Sequence, residues 1–156
     1  MTRSVRRRTQ DAAVIREIHE GETATAFAAM RELRPHVGDS DAFVHTVDRV
    51  QRPQGYRLVG SFVDDQPDAA AVAGFRRGHY LAWGDAIYVD DLTTLPTARR
   101  QGHARALLNW LDEEAERLGC GQLHLDSGVG LDRASAHRLY LNAGLVIAAH
   151  HFAKEI

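Results

Sequence analysis

Residues 88–108 read YVDDLTTLPTARRQGHARALL, and their order decides the architecture of the chain. An extended stretch of mixed apolar and polar residues meets Pro96. It then passes through Arg99, Arg100, Gln101, Gly102, His103 and Ala104 into a helix. A glycine-containing turn that enters a helix leaves the first backbone N–H groups without partners. Those groups, with the positive end of the helix dipole, form a site for a phosphate or pyrophosphate. Two adjacent arginines suit the same anion. Gly102 carries no Cβ, so the backbone there can approach a ligand closely.

Past this turn, Ala104, Leu107, Leu108, Leu111, Ala115 and Leu118 form one apolar stripe. Asp112, Glu113, Glu114, Glu116 and Arg117 are expected on the polar side. Gly119 and Gly121 end the helix, and residues 122–127 alternate as a strand. A strand, a helix of this length and a second strand imply a parallel, right-handed crossover. Residues 135–142 read as a shorter helix closed by Ala143 and Gly144, and residues 145–152 as a last strand. Upstream, residues 13–18, 56–63, 69–77 and 85–95 read as strands, and 22–34 and 39–50 as helices. The fold class expected is α/β, a single-domain, mixed, mostly antiparallel β-sheet with helices on both faces. Residues 1–10, with Arg3, Arg6, Arg7 and Arg8, are expected to be a flexible basic tail, and residues 11–156 the domain.

The 156 residues, 44% hydrophobic, are enough for one real core. With a formal net charge of −2 there is no global basic field, so nucleic acid is not the expected partner. A single cysteine, Cys120, excludes an internal disulfide framework. No apolar run approaches the ~18 residues of a membrane span. The expected location is cytoplasmic. The nine histidines show no metal-ligand spacing, so no metal is expected.

The spacing Arg-x-x-Gly-x-Ala resembles the acyl-CoA pyrophosphate loop of the GNAT N-acetyltransferases. Residues 88–108 as a whole are similar to that family's motif A. Residues 136–145, AHRLYLNAGL, are similar to its motif B, in which Ala-x-x-Leu/Phe-Tyr precedes a small turn. The two matches lie in family order in the C-terminal half. The first 80 residues match only in element order.

The resemblance implies a GNAT-like fold and an enzyme that moves an acetyl group from acetyl-CoA to a primary amine by direct attack in a ternary complex. Leu92, Thr93 and Thr94 look like the strand edge that pairs with the pantetheine arm. Arg99, Arg100, Gln101, Gly102, His103, Ala104 and Arg105 would surround the pyrophosphate, with the His103 side chain pointing outward. Tyr140 would protonate the departing CoA thiolate. Asp90 matches the acidic residue that several members use as a base. Alternation sets Asp90 on the face of Leu92 and Thr94, and Asp91 on the opposite face. Arg133 stands where motif B usually has an Asn that contacts CoA; an arginine there either reaches a CoA phosphate or faces water, so that contact does not carry over directly. Arg31 and Arg34 lie on the first helical region, which borders the acceptor groove in this fold. A solvated helix end is the default reading for both.

A small-molecule amine is the expected acceptor, with a protein lysine or N-terminus as the other choice and no membrane partner. A homodimer is compatible with the family. Two alternative functions fit the same motifs. One is a non-catalytic acyl-CoA-binding regulatory or sensor domain, and the other an acetyltransferase acting on a macromolecule.

Overall fold

A computed structural model describes residues 13–156; the expected basic tail lies outside the described residues. Five strands form one sheet in the order β1 to β5. They are β1 (Val14–Ile18), β2 (Arg57–Phe62), β3 (Ala71–Tyr80), β4 (Gly84–Thr94) and β5 (Gln122–Leu125). The first four run antiparallel to their neighbours. β5 lies parallel to β4, with Ala86 opposite Gln122 and Val89 opposite Leu125. The connection between them is α3 (His103–Arg117), the crossover that a parallel pair requires.

Strand alternation divides the core in two. On one face Leu58, Phe62 and Val72 pack against α1 (Phe27–Leu33) and α2 (Ser40–His45) through Met30 and Phe43. On the other face Val59, Phe75, Ile87 and Val89 meet Leu107, Leu108 and Leu111 of α3 and Tyr140 of α4 (Ala134–Asn142). Helices cover both faces, as the sequence pattern required.

The early helices are shorter than expected. Residues Thr23–Ala26 form a 3₁₀ turn before α1. The Asp39 side chain accepts from the Ala42 N–H and starts α2. The helix then widens to π spacing over Thr46–Gln51. One residue of the polar face of α3 also departs from expectation. Glu114 is only 6% exposed. It is ion-paired to Arg57 at 2.7 Å and to Arg117 at 2.6 Å, and these two cations compensate its burial. They hold its carboxyl down at about 2.

The expected last strand does not form. After the turn that closes α4, with the Leu145 N–H donating to the Tyr140 carbonyl, residues 146–156 adopt no strand. Val146, Ile147, Phe152 and Ile156 are exposed. The apolar pattern of this segment is that of a strand, but a strand exists only where a neighbour takes its backbone groups. None of the five strands pairs with it.

Candidate active site

The site is built where β4 and β5 part. They pair only from Ala86 to Val89, whereas β4 continues to Thr94 against β3. Beyond Val89, the β5-side edge of β4 meets no other strand among the described residues. Leu92, Thr93 and Thr94 lie on this stretch, so the edge expected to be free is free. A cavity of about 330 Å³ occupies the opening, lined by Asp90, Leu92, Asp126, Ser127, Arg133 and Tyr140 among others.

At the end of β4 the chain turns through Arg99 to Gly102 into α3. Arg100 at φ 61° and Gly102 at φ 85° are both left-handed. For Gly102 this costs nothing, whereas Arg100 carries backbone strain. No side chain caps this end of α3, and its first turn holds no acidic residue. The first ladder bond runs from the Ala106 N–H to the Gly102 carbonyl, so the N–H groups of His103, Ala104 and Arg105 stay free of the helix. Arg99, Arg100, Gln101 and Gly102 are exposed beside them. Arg105 reaches the Asn142 carbonyl at 3.2 Å and ties this end of α3 to the end of α4.

His103 does not point outward. Its ring turns under the loop, is 6% exposed, and joins Nδ1 to the fully buried Ser61 Oγ at 2.8 Å. The first residue of a helix that sits on a sheet can direct its side chain at that sheet, and β2 offers a hydroxyl there. Burial pushes the imidazole pKa below its ordinary value.

Asp90 and Asp91 do not alternate. The register jumps from Phe75 opposite Val89 to Gly74 opposite Asp91, so Asp90 is the extra residue of a β-bulge. Both carboxylates therefore turn to the α1 side, and Leu92 packs with the α3 core instead. Asp91 accepts from Arg34 Nε at 2.8 Å and from the Tyr56 hydroxyl at 2.8 Å. Asp90 is bound by Arg76 Nε at 2.8 Å. The guanidinium of Arg76 lies over the Tyr56 ring. A Cβ on Gly74 would overlap the Tyr56 phenol, so glycine is what admits this ring to the bulge. Burial raises the Asp90 carboxyl above the ordinary carboxylate value, against the pull of Arg76. Arg34 is thus no free helix-end cation, while Arg31 lies over the Phe27 ring.

Tyr140 is 8% exposed and borders the cavity. Burial raises its phenol pKa, offset in part by Arg133. The phenol therefore stays protonated, as a proton donor must. Arg133 ends the 3₁₀ turn that leads directly into α4 and lines the same cavity. Sequence reasoning placed Arg34 beside the acceptor groove, with a solvated helix end as its default, and missed Arg76 and Tyr56, which hold the two carboxylates. It also missed Ser127, whose Oγ is buried beside the cavity without a hydrogen-bond partner. Nothing in the local pattern marks these three, because their partners are 14 and 35 residues away or absent. Among the described residues no cluster of His, Cys, Asp and Glu is arranged to hold a metal.

The model of the acetyltransferase (GNAT) family matches residues 18–145. An uncharacterized N-acetyltransferase, YhdJ, of Bacillus subtilis (strain 168) is 26% identical over 136 residues, which span 86% of this chain and 92% of that protein. The fold is shared with an aminoglycoside N-acetyltransferase, AAC(6')-Iy, in complex with CoA. The TM-score is 0.76 at 14% identity, covering 92% of this chain and 94% of the other. It is shared as well with a ribosomal-protein-alanine N-acetyltransferase from Brucella melitensis biovar Abortus 2308. There the TM-score is 0.70 at 20% identity, covering 93% and 97%. An open β4 edge, an uncapped helix start behind it and a match over most of its length place this chain in the GNAT acetyltransferase family.

Proposed function

We propose that this protein transfers the acetyl group of acetyl-CoA to a primary amine within a ternary complex. The observation that carries the reading is the cavity in which the free β4 edge, the Asp90 wall and the Tyr140 phenol meet. The fit to CoA rests on two features. The free N–H groups of His103, Ala104 and Arg105 suit the pyrophosphate, with Arg99 and Arg100 as counter-charges. The open edge at Leu92, Thr93 and Thr94 suits the amides of the pantetheine arm.

The amine nitrogen attacks the thioester carbonyl, and the C–N bond forms as the C–S bond breaks. A β4 amide aimed at the carbonyl oxygen stabilises the charge that develops there. The Tyr140 phenol gives its proton to the leaving thiolate, and the proton that the nitrogen sheds as the amide forms returns to the phenolate. The proton lost by the ammonium goes to Asp90 or to water held by it, and the burial that raises the Asp90 pKa strengthens it as an acceptor. Fixing both substrates at one opening supplies a large share of the rate. Carboxylates at the cavity, Glu32, Asp126 and Asp132 beside Asp90, favour a cationic acceptor. The name of one structural neighbour points to an aminoglycoside and that of another to an alanine of a ribosomal protein, so both classes belong in the acceptor screen.

The test is CoA release from acetyl-CoA, followed by thiol titration, with spermidine, an aminoglycoside and a short peptide as acceptors. Binding of acetyl-CoA is measured in parallel by calorimetry. Amine-dependent release supports transfer. Binding without release by any acceptor supports a regulatory acyl-CoA domain instead. Absence of binding at millimolar ligand overturns both.

A further inference from the structure

Four carboxylates line the cavity, Glu32, Asp90, Asp126 and Asp132, and they differ in what already holds them. Glu32 is on α1, and Asp132 is in the 3₁₀ turn before α4. Asp90 and Asp126 stand at the junction of the two strands. Val89 opposite Leu125 is the last pair of β4 and β5, and Asp90 and Asp126 are each the next residue. Neighbouring strands lie about 4.8 Å apart, so these two residues flank the opening where the strands begin to part.

Side-chain direction brings both to one face. Ile87, Val89, Leu123 and Leu125 all pack with the α3 core. Tyr88 and His124 alternate with them and therefore face the α1 side, opposite each other in register. The Tyr88 hydroxyl donates to Asp126 Oδ2, which draws Asp126 to that side. The bulge turns Asp90 there as well. His151 Nδ1 lies 3.3 Å from the same Oδ2. Both contacts fall on Oδ2, so they fix the carboxylate and leave Oδ1 free among the described residues. Burial, the bond to Asp126 and the charges of Asp126 and Asp90 raise the Tyr88 pKa above its ordinary value, so the phenol stays the donor. One row below, His124 stacks on Trp83 with ring centroids 3.6 Å apart. That stack ties the turn between β3 and β4 to β5, just beneath the opening.

The two carboxylates are unlike in charge. Asp90 has the Arg76 guanidinium as counter-ion and is 24% exposed, with burial raising its pKa. Asp126 is 51% exposed, its closer tie is a neutral phenol, and its only ion-pair partner among the described residues is His151. No arginine or lysine among the described residues neutralises Asp126, so its charge is available to a ligand. A primary ammonium has three N–H donors, enough to bond Asp126 and to meet Asp90 at once.

We propose that Asp126 is the anchor of the acceptor: its carboxylate, positioned by Tyr88 and His151, holds the ammonium of a primary amine beside Asp90. The inference rests on the transfer reading above and divides the acceptor side into a carboxylate that binds and a carboxylate that takes the proton. One N–H proton passes from the ammonium to Asp90 or to water held by it, and the nitrogen lone pair is then free to attack the thioester carbonyl. The neutral amine keeps an N–H bond to Asp126, so it stays in the attacking position. Tyr88 and His151 do not touch the reacting atoms. They act by holding Oδ2, as supports of a binding group must.

Steady-state kinetics with spermidine as acceptor test the anchor. Asp126→Asn is expected to raise the spermidine KM roughly tenfold to a hundredfold, the worth of a hydrogen bond to a charged group, with kcat nearly unchanged. Asp126→Glu restores part of the loss. Tyr88→Phe should raise the same KM about fivefold, as loss of a neutral hydrogen bond does. Asp132→Asn removes an equal charge from the cavity without touching Tyr88, and should raise it by less than about threefold. An unaltered acetyl-CoA Kd by calorimetry shows that each variant is folded. An unchanged KM in Asp126→Asn overturns the proposal. So does a loss confined to kcat, which would make Asp126 the base, or an equal effect of Asp132→Asn, which would make the attraction a diffuse field. Should the wild type release no CoA, the transfer reading falls by itself. Spermidine titrated into the CoA-bound protein then decides the anchor: weaker binding in Asp126→Asn supports it, and equal or absent binding overturns it.

Discussion

The start of α3 and the α1 side of the cavity are the two walls of the proposed site, and they are made of different material. The wall at the start of α3 is main chain: free N–H groups, one glycine at φ 85° and one strained arginine at φ 61°. The wall facing α1 is side chain: Asp90 and Asp91 brought to one side by a bulge and held by Arg76, Arg34 and Tyr56. A main-chain wall presents the same donors whatever its exposed side chains are, which suits a ligand that does not vary. A side-chain wall changes with each substitution, which suits the acceptor side. The α3 wall is therefore expected to govern acetyl-CoA and the α1 wall the amine.

Tyr140 borders the cavity itself, and its loss should have the largest effect. Tyr140→Phe is expected to lower kcat about a hundredfold or more, the usual worth of a positioned proton donor. Calorimetry should show the acetyl-CoA Kd almost unchanged. An unchanged kcat would remove the donor and leave the two walls without a shared reacting group.

Gly102→Val strikes the main-chain wall alone. A Cβ there meets nothing within 4 Å, so the change acts through the left-handed backbone and not by collision. The strain is about 1–2 kcal/mol, roughly tenfold in equilibrium terms. The acetyl-CoA Kd should rise by about that factor while the KM for the amine stays within error. Asp91→Asn strikes the opposite wall. It keeps an acceptor for Tyr56 and removes the charge opposite Arg34. The amine KM should rise roughly fivefold, about 1 kcal/mol, with the acetyl-CoA Kd unaltered. If both variants moved both constants equally, the division of labour between the walls would be wrong.

The same contrast explains what the sequence made legible. The main-chain wall was readable because its chemistry needs a glycine and a helix start at fixed spacing, and both are local. Leu92, Thr93 and Thr94 came from the family resemblance as a free strand edge, and this stretch of β4 has no β5 partner. The side-chain wall was not readable. Alternation put Asp90 and Asp91 on opposite faces, and one bulge, admitted by Gly74 and filled by Tyr56, turned both the same way. His103 was read as solvated because its partner Ser61 lies 42 residues away. The last strand expected over residues 145–152 did not form, because an apolar pattern alone does not supply the neighbour that takes a strand's backbone groups, and none of the five strands pairs with this segment.

The smallest effect probes the point where the main-chain wall is fastened to the sheet. The ring of His103 holds the first turn of α3 to β2 through Ser61, three residues after the strained Arg100. Strain of that kind persists only where the surroundings over-determine it. Burial lowers the His103 pKa below its ordinary 6.5. Between the lowered value and 6.5 the unfolded chain binds a proton that the folded chain refuses. Stability therefore falls as pH drops through that window, and the loss ends once the pH is below both values. Asp90 and Asp112, whose pKa values are raised, act in the opposite direction, but at lower pH, near and above 3.8. Urea melts at steps from pH 7.5 to 5 should show the decline in the wild type and a flatter profile in His103→Asn. At pH 7.5 the same variant should weaken acetyl-CoA about threefold, near 0.7 kcal/mol for one lost hydrogen bond. A flattened profile with unchanged affinity would make the pair a fastening of the fold and not of the loop.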